Sequence, residues 1–204
     1  GIGSSLTYDT VDNIFRPHRG LRSSLELEVD GVRRTKKNEP GRDFAMIKMA
    51  FSNAYYYPIW RKGTLKLRGD VSFIQAFSPG APSKVPLSER YFLGGETTVR
   101  GFKPGILGPK LDPEEGTDPI GGMSAYLLSI EYAQNLFKLV DAFVFIDGGA
   151  VSGRSFKVSK PRGSYGGGIR VWIPQFPFTF GYGEPFHAGV GEKKGFFYQI
   201  GAQF

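Results

Sequence analysis

Few residues in this chain have the types and spacing that chemistry requires. The two histidines, His18 and His187, fall in connections at opposite ends of the strand pattern, and there is no cysteine. A nucleophile, base and orienting acid therefore cannot be assembled within one layer, as covalent catalysis would need. The reading is of a protein that is not an enzyme and uses no metal and no cofactor. The run Gly166-Gly167-Gly168 is not a phosphate loop, because strand pattern follows it and no Lys-Ser/Thr closes it. What remains is a small set of fixed charges. Glu131 and Asp147 each sit at the parity opposite to the apolar residues of their segments, Tyr126, Leu128, Ile130 and Tyr132 in one and Val144 and Ile146 in the other. Both acids would point to the same side of neighbouring strands. Arg100 sits at the polar tip of Gly94-Gly95-Glu96-Thr97-Thr98-Val99-Arg100-Gly101-Phe102. Taken alone, these residues also fit an ordinary turn arginine and two solvated acids, and composition leaves both readings open.

The elements that must position them are strands. Alternation with period 2 dominates, and no window carries a helical stripe. Leu21, Ser23, Leu25, Leu27 and Val29 oppose Arg22, Ser24, Glu26 and Glu28. Leu65, Leu67, Gly69, Val71 and Phe73 oppose Lys66, Arg68, Asp70 and Ser72. With segments at 3–10, 42–57, 123–135, 141–152, 163–173, 177–186 and 195–204, about nine strands result. Tight connections alternate with longer, more charged ones. Aromatic residues gather near strand ends, at Tyr55, Tyr56, Tyr57, Trp60, Trp172, Phe176, Phe178, Phe186 and Phe204. Strands of roughly ten residues, short turns at one end, long loops at the other and an aromatic girdle describe an antiparallel transmembrane β-barrel. A soluble sandwich would have strands of about five or six residues.

Arg100 lies in the longest connection, residues 78–122. A compact domain seldom holds a structureless connection of that length unless it is functional or disordered. Tyr91, Phe92, Leu93, Val99, Phe102, Ile106 and Leu107 give it apolar anchors, so it is expected to fold back onto or into the rest of the protein. The 204 residues are read as one domain. The net charge of +7 is spread through turns and loops, which suits a solvated or headgroup-facing surface better than nucleic acid. Arg100-Gly101-Phe102 opens like an RNA-binding motif, but the rest of that motif and its context are missing.

Val99-Arg100-Gly101-Phe102 resembles the Val/Ile-Arg-Gly-Phe/Tyr motif of the BamA superfamily of outer-membrane assembly factors and transporters. Tyr91-Phe92-Leu93-Gly94-Gly95, Ile106-Leu107-Gly108-Pro109-Lys110, Ile120-Gly121-Gly122 and Asp147-Gly148-Gly149 follow in the family's order. Phe196-Phe197-Tyr198-Gln199-Ile200-Gly201-Ala202-Gln203-Phe204 is similar to its C-terminal β-signal. The resemblance covers essentially the whole chain. It implies the last nine strands of a sixteen-stranded barrel in the bacterial outer membrane, with seven strands and an N-terminal POTRA region outside this sequence. It implies that Arg100, with Gly101 and Phe102, reaches Glu131 and Asp147 as a lumen latch. Tyr198, Gln199, Ile200, Gly201 and Phe204 would form the terminal signal and a weak lateral seam. The implied partners are outer-membrane lipid, client β-barrel proteins and, through the N-terminal region, accessory assembly lipoproteins. A polypeptide-secretion pore of the same superfamily is the alternative, and a non-transporting structural barrel a third.

Overall fold

The computed structural model describes residues 1–32, 44–77, 85–111, 118–173, 176–189 and 191–201. Alternating apolar and polar residues pair into one nine-stranded antiparallel meander. Its strands are β1 (Ile2–Asp9), β2 (Gly20–Val32), β3 (Phe44–Ile59), β4 (Gly63–Ala76), β5 (Ser124–Phe137), β6 (Val140–Ser152), β7 (Arg162–Ile173), β8 (Phe176–Phe186) and β9 (Phe196–Ile200). Among the described residues the only helical pieces are single 3-10 turns at Trp60–Lys62 and Leu87–Glu89.

The register carries each apolar stripe across the sheet. Leu25 pairs with Phe51 and Phe51 with Val71, while Ile130 pairs with Ile146 and Ile146 with Tyr165. These residues make an outer face that stays largely exposed among the described residues. Val144 and Ile146 are 59% and 58% exposed, which is costly in water and favourable against hydrocarbon. The opposite, inner face carries Lys66, Ser129, Glu131, Asp147 and Arg170. Residues 10–19, 60–62, 138–139 and 174–175 connect strands at one rim; 33–43, 77–123, 153–161 and 187–195 connect them at the other.

The core lies between the inner face and the long connection. Leu93, Val99, Phe102 and Leu107 of that connection pack on Ala125, Leu127 and Val151. Val85 packs with Met46, Ile74 and Met123. A third group, Phe143, Phe145 and Phe197, links β6 to β9. The last strand is shorter than expected from the sequence. It ends at Ile200, because Gly201 turns to a φ of +101° and leaves the extended region. Phe204 lies outside the described residues, as do the first two positions of the 42–57 segment.

Candidate functional site

The tip of the long connection is a tight turn closed at its base by an isolated bridge between Leu93 and Leu107. Gly94 and Gly95 both adopt positive φ, and the Gly94 N–H donates to Thr98 Oγ1 at 2.8 Å. This geometry buries Val99 and Phe102 completely and carries Arg100 onto the inner face of β5 and β6, where it is only 2% exposed. Gly101 is required where it stands. At its φ of +86°, a Cβ would lie 2.6 Å from the Gly183 carbonyl oxygen of β8, so the backbones of loop and wall touch directly.

Arg100 satisfies its guanidinium almost entirely with two carboxylates. Nε donates to Asp147 Oδ2 at 2.7 Å and Nη2 to Asp147 Oδ1 at 2.8 Å, a two-pronged pair. Nη1 donates to Glu131, and the Arg100 backbone N–H donates to Asp147 Oδ2 at 3.0 Å. Neighbours that the sequence reading did not single out complete the group. Ser129 Oγ donates to Asp147 Oδ1 at 2.6 Å, and Arg170 Nη2 donates to the other oxygen of Glu131 at 2.9 Å. The Phe145 ring lies under the guanidinium, 3.7 Å from its carbon. Two guanidiniums therefore bond to two carboxylates, with Lys66 of β4 in register beside Glu131. Buried pairs of this kind add little net stability against an apolar equivalent, yet they fix one arrangement and penalise its loss. Holding a loop in register is the chemistry this group suits.

A second cluster, also missed from the sequence, ties the same loop to the connection before β9. Glu192, 2% exposed, accepts from Lys110 Nζ at 2.6 Å, from the Gly189 N–H at 2.6 Å and from Arg162. Its own carbonyl accepts from the Lys103 N–H at 2.9 Å. The Gly101 carbonyl accepts from the N–H groups of Lys194 and Gly195, at 2.8 and 3.0 Å. The only hint in sequence was an acid inside Gly191-Glu192-Lys193-Lys194, which reads as a solvated charge run.

Of the terminal residues, Tyr198 and Ile200 lie on the outer face, 67% and 64% exposed, and Gln199 pairs opposite the buried Thr179. They do not meet the Arg100 group; Phe197, facing inward, approaches it through Phe145 at 5.8 Å. The histidines are not brought together. His18 Nδ1 lies 2.7 Å from Thr64 Oγ1 at the short-turn rim, and His187 follows β8 at the other.

The family model described as the Omp85 superfamily domain matches residues 1–204, the full chain. The chain belongs to the Omp85 superfamily. Two curated relatives agree in sequence. The outer membrane protein assembly factor BamA of Neisseria meningitidis is 26% identical over 106 residues, covering 52% of this chain and 12% of that protein. A SAM50-like protein of Schizosaccharomyces pombe is 30% identical over 130 residues, covering 62% of this chain and 24% of its own length. The crystal structure of Haemophilus ducreyi BamA lacking POTRA domains 1–3 superposes with a TM-score of 0.74 at 20% identity. That match covers 98% of this chain and 41% of the solved one. This Omp85 chain thus spans well under half the length of each. It is a portion of an outer-membrane β-barrel, and its exposed outer face is the lipid-facing wall.

Proposed function

We propose that this chain is the C-terminal part of the barrel of an outer-membrane protein assembly factor, which folds and inserts client β-barrels at a lateral seam beside β9. The observation that carries the reading is the terminal strand. Among the described residues β9 has five where the other strands have 8 to 16. A short strand makes few ladder bonds, so its pairing is easily opened to an incoming strand. Its outward residues Phe196, Tyr198 and Ile200 would meet lipid or client, and Gly201 would end the pairing.

In this reading Arg100, Glu131 and Asp147 latch the long loop inside the lumen of a sixteen-stranded barrel, and no bond-making chemistry is involved. Client strands are the substrate, and accessory lipoproteins bind the N-terminal region outside this chain. Membership of the superfamily together with the two curated relatives supports an assembly role.

The test is site-specific photocrosslinking in the full-length protein during synthesis of a client barrel. Probes at Tyr198 and Ile200 should capture the client's terminal strand, whereas probes at Val144 on the lipid wall should not. Client captured only by inner-face probes such as Arg68 would favour the secretion-pore reading. No client at any position would remove the seam from the mechanism.

A further inference from the structure

The connection between β1 and β2, residues 10–19, is built as a braced arm. Its base is paired: the Thr10 N–H donates to the Leu21 carbonyl at 2.9 Å and the Asp12 N–H to the Arg19 carbonyl at 3.0 Å. Two short side chains brace its tip. Asp12 Oδ1 accepts from the N–H groups of His18 and Arg19, at 2.8 and 3.1 Å. Asn13 Oδ1 accepts from those of Phe15 and Arg16, at 2.9 and 3.0 Å. Side chains that satisfy the nearby backbone in this way hold a turn's shape, so the arm can dock and undock as one piece.

The arm reaches strands remote from its own. Arg16 pairs with the buried Asp141 at the start of β6, and its Nη1 donates to the Lys138 carbonyl of the β5–β6 turn at 3.4 Å. The Arg16 guanidinium carbon lies 5.3 Å from the centre of the Trp172 ring on β7, and Trp172 Nε1 donates to Asp141 at 2.7 Å. His18 meets Thr64 of β4. β2 and β6 are four strands apart, roughly 19 Å along the wall at about 4.8 Å per strand. Thr64, Asp141 and Trp172 share the inward parity of Lys66, Glu131 and Arg170, so the arm crosses the inner side as a chord. With it goes a cavity lined by Phe15, Arg16 and His18 of the arm and by Lys66, Glu131 and Arg170 of the wall. Glu131 and Arg170 also belong to the Arg100 group, so this cavity lies between arm and loop tip. Docking leaves one donor unmet: Arg16 Nε is buried with no hydrogen-bond partner among the described residues. An unpaired buried donor favours the hydrated, undocked arm, which sets it against the ties at Asp141 and Thr64.

We propose that residues 10–19 are a strap that closes the lumen along β4–β7 at the short-turn rim, and that it opens by release of Arg16 and His18 without undocking the Arg100 latch. The strap depends on the chain's place in an outer-membrane barrel and is independent of the assembly role.

The test uses the full-length protein with any cysteines of its own replaced. Ala133 lines the cavity, and Ala133→Cys should react slowly with a water-soluble thiol reagent while the strap is intact. Adding Arg16→Gln and His18→Ala should speed that reaction by on the order of tenfold. Leu128→Cys on the outer face should react with an apolar reagent at the same rate in both backgrounds, which shows the sheet intact. Hydrogen exchange at the Arg100 and Leu107 amides should also stay at the wild-type rate. Spin labels at the exposed Ile14 and Leu139 test docking with the strap residues in place: they should give one narrow distance, broadened by Arg16→Gln with His18→Ala. Fast labelling of Ala133→Cys or a broad distance with the strap intact would overturn the proposal. So would equal rates with and without Arg16 and His18. Faster exchange at Arg100 and Leu107 in the double variant would overturn the separation of strap from latch.

Discussion

Replacing Arg100 by Ala should release the long loop while leaving the sheet intact. Removing one partner of a buried ion pair costs about 3–5 kcal/mol, because the other charge stays behind. The geometry divides that cost unequally. Glu131 keeps Arg170 at 2.9 Å, whereas Asp147 loses a two-pronged partner and retains only Ser129 and the Arg100 backbone N–H. The lower end, about 3 kcal/mol, is therefore expected, and this equals a shift in loop docking of about two orders of magnitude. Native-state hydrogen exchange in the full-length protein would read it directly. The amides of Arg100, Lys103 and Leu107, which donate to Asp147, Glu192 and Leu93, should exchange about 100-fold faster. Ladder amides between β5 and β6 should not change. A double variant, Arg100→Met with Asp147→Asn, removes both charges but keeps an acceptor for Ser129, and should recover most of the protection. Loop amides in Arg100→Ala that exchange at the wild-type rate would refute the reasoning, and no recovery in the double variant would refute the assignment of the cost to the stranded carboxylate.

At Glu192, burial pushes the carboxyl pKa up, but Lys110, the Gly189 N–H and Arg162 outweigh it and hold the value below the ordinary carboxylate range. The clamp should be fully present above about pH 4.3, the unperturbed Glu value, and be lost as pH falls through the lower folded value. Exchange at Lys103, corrected for its intrinsic rate, should rise on that acidification and lose its acid dependence in Glu192→Gln; flat protection down to about pH 2 would sink this. Gly101→Val should unseat the loop, since its Cβ would lie 2.6 Å from the Gly183 carbonyl, and trypsin cleavage after the otherwise buried Arg100 reports it; wild-type resistance would contradict the close approach. Spin labels at Leu21, Leu25, Leu65, Val71, Val144 and Ile146 should show oxygen access and exclusion of polar relaxants, and water exposure at most of them would remove the lipid-facing assignment.

The strands were legible because a half-buried strand writes its two faces as a period of two, and nine such segments survive in the structure with ends shifted by at most three residues, the end of the last strand excepted. The same parity put Glu131 and Asp147 on the inner face. The last strand was read too long because φ at Gly201 is invisible to alternation. Ser129 shares the parity of Glu131 but looks like any solvated strand serine, and Phe145 and Arg170 gain meaning only once a guanidinium lies over β5 and β6. Glu192 was illegible for a different reason. Its three partners come from positions 82, 30 and 3 residues away, and no local pattern encodes the meeting of two connections with the start of β7.

The loop's contacts also impose an order in time. Every strand joins its chain neighbours, so the meander can grow by short-range closures, which are fast. The loop's own ties reach 31 residues to Glu131, 47 to Asp147, 82 to Glu192 and 98 to Lys194. A chain that has made β4 but not yet β6 has Arg100 without Asp147, with Val99 and Phe102 uncovered. The wall is complete only when the connection before β9 arrives, and the interior closes after it. Delay in adding β8 and β9 therefore leaves an assembled sheet with its apolar loop still outside, the stage at which this chain is most open to misassociation.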